Sequence, residues 1–175
     1  MTDGRIHLWS AENIIDAVKH TNVQHIASMD IHKGSVCSLE FHPKQPNLLV
    51  SGGGDGEVYI WDLANPSEPR ATRPNGNKDL QVEMVTKVPV SNVAWNLKVP
   101  QLLATSLENG NTVVWDLRQK RGIATFRPSN RIPLRVSSMV WSNDIQFATS
   151  YFGSPCIEIW DLRQQMVPKC KFDYG

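Results

Sequence analysis

The sequence predicts an all-β chain, an open arc of about three and a half four-stranded blades of a β-propeller. Three observations predict it. A short strand ending in tryptophan recurs along the chain, as "GEVYIWDL" at 56–63, "NTVVWDLR" at 111–118 and "CIEIWDLR" at 156–163, with a weaker "GRIHLWS" at 4–10. The recurring tryptophans Trp9, Trp61, Trp115 and Trp160 are 52, 54 and 45 residues apart, near the span of one four-stranded unit. The strand itself is apolar on both sides: Val58 and Ile60 share one face, Tyr59 and Trp61 the other. Such a strand must be covered on both faces. Sheets stacked face to face around an axis meet that demand.

The copies align closely. Residues 36–61 and 90–115 superimpose as 26-residue segments without a gap, and residues 136–160 form a third copy one residue shorter. Phe41 falls on Trp95, Ser51 on Thr105, and Asp55–Gly56 on Asn109–Gly110.

The elements follow in order. Residues 4–9 read as a strand, and Ser10 can cap a short helix over "SAENIIDAVKH". Residues 24–31 read as the outer strand of this half blade. The next copy has strands over 36–41, 48–51 and 57–61, with Pro43 and Pro46 breaking the first from the second. Asp55–Gly56 is a tight-turn dipeptide in which glycine supplies a positive φ. A polar detour over 64–79 follows, and strand-like residues resume at "QVEMVTKV", which leaves the outer strand of this blade open. "RGIATFR" and "MVPKCKF" supply the outer strands after Trp115 and Trp160. The expected organisation is a half blade over 1–35 and blades over 36–89, 90–135 and 136–175. An arc of this size does not close, so the reading also expects a fragment or an incomplete gene model.

Composition narrows the function classes. The 18 basic and 17 acidic side chains give a formal net charge of +1, which provides no field for nucleic acid or an anionic membrane. Cys37, Cys156 and Cys170 are odd in number and contain no Cys-x-x-Cys pair, which points to a reducing compartment such as the cytosol. No run of 18 apolar residues is present.

Several constellations invite chemistry. His32, Ser51 and Asp55 could suggest a hydrolase triad. The offset argues for structure instead, because Asp55 stands six residues before Trp61, as Asp3 does before Trp9 and Asn109 before Trp115. A turn aspartate accepting from His32, with His32 held by the Ser51 hydroxyl and the Trp61 indole, makes a satisfied buried network. The other copies have no matching histidine and must close their turns differently. His20, His25, His32 and His42 lack metal-ligand spacing. "SGGGDGE" lacks the lysine of a phosphate loop and reads as a turn. Arg118, Lys120 and Arg121 in "DLRQKRG" read as a solvated turn. No catalytic, cofactor-binding or metal-binding residue is expected, and no cofactor. The long loop over 64–79 reads either as a partner contact or as an idle insertion.

These residues resemble the WD-repeat family. Its marks are "IWDL", "VWDLR" and "IWDLR", that is Trp61–Asp62, Trp115–Asp116 and Trp160–Asp161, with the "DG" turn upstream and "HKG" before the first strand. The resemblance implies a propeller that serves as a protein-interaction platform. A narrower likeness lies in "GRIHLWSAENII", "FHPKQPNLLVSGGGDGEVYIWDL", "VAWNLKVPQLLATSLENGNTVVWDLR" and "SNRIPLRVSSMVW". These are similar to the N-terminal propeller of the large outer-coat subunit of COPII vesicles, the Sec thirty-one family. That resemblance implies a non-enzymatic scaffold for vesicle transport from endoplasmic reticulum to Golgi. The implied partners are the smaller outer-coat propeller subunit, of the Sec thirteen family, and other coat propellers. The implied place is the cytosolic face of endoplasmic reticulum exit sites and COPII vesicles, peripheral to the membrane. An alternative is another WD-repeat adaptor, such as a ubiquitin-ligase substrate receptor or histone-binding propeller; a propeller hydrolase is the reading from another class.

Overall fold

The structure is a computed structural model that describes residues 3–9, 25–76, 88–129 and 134–173. β1 (Ile6–Leu8) and β2 (Ala27–Met29) form a two-stranded antiparallel sheet. Three four-stranded sheets follow, each an antiparallel meander in chain order. Blade 1 holds β3 (Val36–Phe41), β4 (Leu48–Gly53), β5 (Val58–Asp62) and β6 (Arg70–Thr72). Blade 2 holds β7 (Val90–Trp95), β8 (Leu102–Leu107), β9 (Thr112–Asp116) and β10 (Arg121–Phe126). Blade 3 holds β11 (Val136–Trp141), β12 (Gln146–Tyr151), β13 (Cys156–Asp161) and β14 (Cys170–Asp173).

The sequence repeat is also a register repeat. Leu49 pairs with Trp61, Leu103 with Trp115, and Phe147 with Trp160. Each first strand slips by a residue at one place, between Val36 and Ser38, Val90 and Asn92, and Val136 and Ser138. Such bulges increase local twist.

Alternation of side chains then determines the stacking. On β3, Ser38 and Glu40 face blade 2: Val93 N–H donates to Ser38 Oγ at 3.1 Å and Trp95 N–H to Glu40 Oε2 at 2.6 Å. On β11, Trp141 donates its indole N–H back to the Ala94 carbonyl at 3.1 Å, as Trp95 donates to the Glu40 carbonyl at 3.3 Å. The layers between blades are apolar. Val50, Val58, Val93, Trp95 and Leu103 pack blade 1 on blade 2, while Val114, Phe126, Trp141, Phe147 and Trp160 pack blade 2 on blade 3. Ile6 and Met29 of the two-stranded sheet pack on Leu49, Tyr59 and Trp61. The opposite faces of the inner strands lie open, with Leu39 and Phe41 about half exposed on β3 and Val140 60% exposed on β11.

Blade 1 differs from the sequence expectation at its edge. Its outer strand is β6, inside the polar detour rather than at "QVEMVTKV", of which residues 81–87 lie outside the described residues. An outer strand pairs on one side only, and three residues opposite Ile60, Trp61 and Asp62 suffice here. The expected helix after Trp9 also lies outside the described residues.

Candidate functional site

The residues with chemical potential converge in blade 1. Trp61 on β5 donates its indole N–H to Ser51 Oγ on β4 at 2.8 Å. His32, just before β3, lies with Nε2 2.7 Å from the same oxygen. Its Nδ1 lies 3.1 and 3.2 Å from the two carboxylate oxygens of Asp55. Asp55 also accepts from the backbone N–H of Lys33 at 2.8 Å and of Glu57 at 3.1 Å. One proton assignment gives every atom a partner: Nδ1–H donates to Asp55 and the Ser51 hydroxyl donates to Nε2. Burial acts to raise the Asp55 carboxyl, but the amides of Lys33 and Glu57 and the His32 ring outweigh it and hold it low.

Local sequence shapes this pocket. Gly56, at φ +78°, turns the chain from β4 into β5. A Cβ on Gly53 would stand 2.4 Å from both Asp55 Oδ1 and His32 Nδ1, so only glycine leaves room for the network. Tyr59 packs edge-on against the His32 ring at 4.9 Å, and its ring also lies under Arg73, which is paired to Glu57 at 2.7 Å.

The order Asp–His–Ser matches a hydrolytic triad, yet the arrangement offers a substrate no entry. Ser51 is 0% exposed, and its oxygen already holds the indole and the imidazole. Nucleophilic attack needs the oxygen free to approach a carbonyl carbon. A buried, fully partnered network instead specifies one packing of the blade.

The other blades keep the indole bond and change the rest. Trp115 donates to Thr105 Oγ1 at 2.9 Å, and Asn109 Oδ1 caps its turn by accepting from Asn111 N–H at 3.1 Å. Trp160 donates to Thr149 Oγ1 at 2.9 Å. From Thr149 a different relay continues: its hydroxyl donates to Tyr151 at 3.0 Å, and Tyr151 donates to Glu158 Oε2 at 2.6 Å. The Ser129 hydroxyl and backbone N–H complete the Glu158 shell. Burial first, and then the bond to Glu158, pushes the Tyr151 phenol well above its ordinary range. Trp9 stands apart from its three counterparts, with 43% of its surface exposed and its ring 5.8 Å from that of His25.

The aspartate after each buried tryptophan starts the exit turn. Asp62 accepts from Ala64 N–H at 2.9 Å and from Asn47 at 3.0 Å. Asp116 accepts from Arg118 N–H at 2.9 Å and from Gln119. Asp161 receives two nitrogens of the Arg163 guanidinium, at 2.9 and 2.8 Å, and Gln146 at 2.9 Å, which hold it far below the usual carboxylate range.

A second set of polar ties at the blade seams escapes sequence reading. His42 Nδ1 accepts from the N–H groups of Lys44 and Gln45, and Nε2–H donates to the Pro100 carbonyl of blade 2 at 3.1 Å. Asn96, one copy later, accepts from Lys98 and Val99 and donates to the Asn143 and Asp144 carbonyls of blade 3. The alignment of His42 with Asn96 was the available signal, but the two share no chemistry obvious from composition. Among the described residues no group of three or more His, Cys, Asp or Glu could hold a metal ion, and no helix is long and apolar enough to cross a membrane.

Comparison with known proteins agrees with this geometry. A family profile described as "WD domain, G-beta repeat" matches residues 23–62. The chain is 36% identical over 178 residues to Protein transport protein SEC31 of Dictyostelium discoideum, covering 96% of this chain and 13% of that protein. It is 32% identical over 192 residues to Protein transport protein SEC31 of Mycosarcoma maydis, covering 97% of this chain and 13% of that protein. Among solved structures, "COPII on membranes, outer coat vertex" matches all of this chain and 46% of its own, with a TM-score of 0.78 and 27% identity. The chain thus spans about an eighth of the length of these relatives and a larger share of the structural neighbour. The chain has a β-propeller fold of four-stranded sheets, carries a WD repeat over residues 23–62, and is similar over nearly its whole length to SEC31 protein transport proteins.

Proposed function

We propose that this chain acts as a non-enzymatic scaffold in the outer coat of COPII vesicles, supporting cage assembly and transport from endoplasmic reticulum to Golgi. The observation that carries the reading is the likeness of the entire chain to a structure of the membrane-assembled outer-coat vertex. The physical side supports it: each blade is braced by a buried polar relay, and polar ties cross the seams. Rigid blades hold their loops at fixed positions, and many weak contacts between such surfaces add by avidity into a cage. Burial of Ser51 and His32 supports a role without catalysis.

In this reading residues 1–35 contribute a half blade and 36–89, 90–135 and 136–175 one blade each. The partners are the smaller outer-coat propeller subunit, of the Sec thirteen family, and neighbouring coat propellers. The protein works on the cytosolic face of endoplasmic reticulum exit sites and vesicles, held there by the coat and not by insertion. Affinity isolation of the tagged protein from cells tests this. Recovery of the smaller coat subunit in near-equal amount is the expected result; recovery of ubiquitin-ligase components or histones without it contradicts the proposal.

A further inference from the structure

Two hollows adjoin at Leu48 and Leu117, where the face of blade 1 meets the β9–β10 turn of blade 2. One encloses about 480 Å³, the other about 330 Å³, and Leu48 and Leu117 line both. The floor of this seam is apolar, formed by half-buried Leu48, Ile60 and Leu117. The rim is cationic. Arg70 and Lys120 border the larger hollow and Arg118 the smaller, all three exposed. None of the three enters an ion pair among the described residues. Among the described residues Asp62 is the one carboxylate in the lining; it lies opposite Arg70 across the β5–β6 pair and accepts from Ala64 and Asn47.

Lys120 is held at this rim against its backbone preference. Its φ of 53° makes it the one described non-glycine residue in the left-handed region. Glycine adopts that conformation without penalty, whereas lysine is strained there. Its stem lies over Gly76, where a Cβ would stand 2.7 Å from Lys120 Cδ. Lys120 thereby lines the same hollow as Leu48, Ile60 and Leu117.

We propose that this groove docks a short acidic peptide segment of a partner protein. In an extended peptide successive side chains alternate, so aliphatic groups can enter the floor while carboxylates meet Lys120, Arg70 and Arg118. The size suits a few side chains. A free inorganic anion would leave the floor in water. Single-stranded nucleic acid would need exposed rings for stacking, and the rings among the described lining residues, His42 and Trp95, are buried. This surface is independent of the coat assignment, since nothing in it depends on which assembly the protein joins.

The test is fluorescence anisotropy of the 175-residue chain with a dye-labelled hexapeptide of alternating Asp and Leu. Control peptides replace either Asp or Leu by Ser. The expected result is saturable binding that weakens roughly tenfold with either control and falls as salt rises. Lys120→Gly is the informative variant, because it removes the charge and also relieves the backbone. Its melting temperature is expected to rise while its affinity falls about fivefold, so loss of binding cannot be misread as loss of fold. Arg70→Gln is expected to weaken binding with an unchanged melting temperature. Absence of saturable binding by the Asp–Leu peptide, equal binding of the serine controls, or unchanged affinity in Lys120→Gly overturns the proposal.

Discussion

Trp61 joins two kinds of interaction in one side chain. Its ring is 1% exposed and packs with Leu49, Ile6 and Met29, while its N–H holds Ser51. Trp61→Ala is therefore expected to cost about 3–5 kcal/mol, from lost packing and a cavity. Urea unfolding checks it, and an unchanged midpoint contradicts the assignment. Asp55→Ala removes the acceptor for His32, Lys33 N–H and Glu57 N–H and is expected to cost about 1–3 kcal/mol. At this scale much was legible: aligned copies single out a strand hydroxyl, a turn carboxylate and a tryptophan, and His32 falls within reach of them. Glu158 was not legible. Its carboxylate is completely buried in β13, but it reaches the relay through Tyr151, a residue type and offset that neither earlier copy uses. Gly53 was equally silent, because a glycine needed for space looks like a glycine needed for a turn.

Strands and turns carry the next layer. Inner strands announce themselves by burial on both sides, whereas β6 reads exposed, half-buried, exposed and has two charged or polar residues among three. Its identity comes from pairing with Ile60, Trp61 and Asp62, which no window of local sequence contains. The seam ties act between elements distant in sequence. Asn96 is 0% exposed and bridges blade 2 to blade 3, so Asn96→Ala is expected to cost about 1–3 kcal/mol by stranding buried partners. Turn carboxylates also make stability depend on pH. Asp55, Asp62, Asp116 and Asp161 are all held below their ordinary value of 3.8. The unfolded chain therefore takes up protons first on acidification. Their contribution is present above that value and lost as the pH falls through the depressed ones. Glu40 runs the other way: burial at the blade 1–blade 2 seam, only partly offset by the Trp95 amide, raises it above 4.5. Its contribution is present below 4.5 and lost as pH rises through the raised value. A melting series between neutral pH and about pH 3 is expected to fall steeply below about pH 4. In Glu40→Gln the acid fall remains, while the loss of stability on raising the pH above 4.5 disappears.

The whole molecule is a stack in which each sheet packs on its neighbours. The two-stranded sheet touches blade 1, blade 1 touches blade 2, and blade 2 touches blade 3, through three separate apolar layers. Such an array behaves approximately as a sum of unit stabilities and nearest-neighbour terms. A perturbation inside one blade should spread to the sheets beside it and fade with distance. This is the property a scaffold needs, since a loop keeps its position only while the neighbouring blades hold it. The repeated tryptophan device is a structural joint that transmits stability from blade to blade. Amide hydrogen exchange of the chain and its Ser51→Ala variant tests that most directly. Lost protection is expected in β3–β5 and in the adjoining β1–β2, with a smaller loss in β7–β9 and near-native protection in β11–β13. Unchanged protection in β3–β5, or a loss as large in β11–β13 as in blade 1, would contradict it.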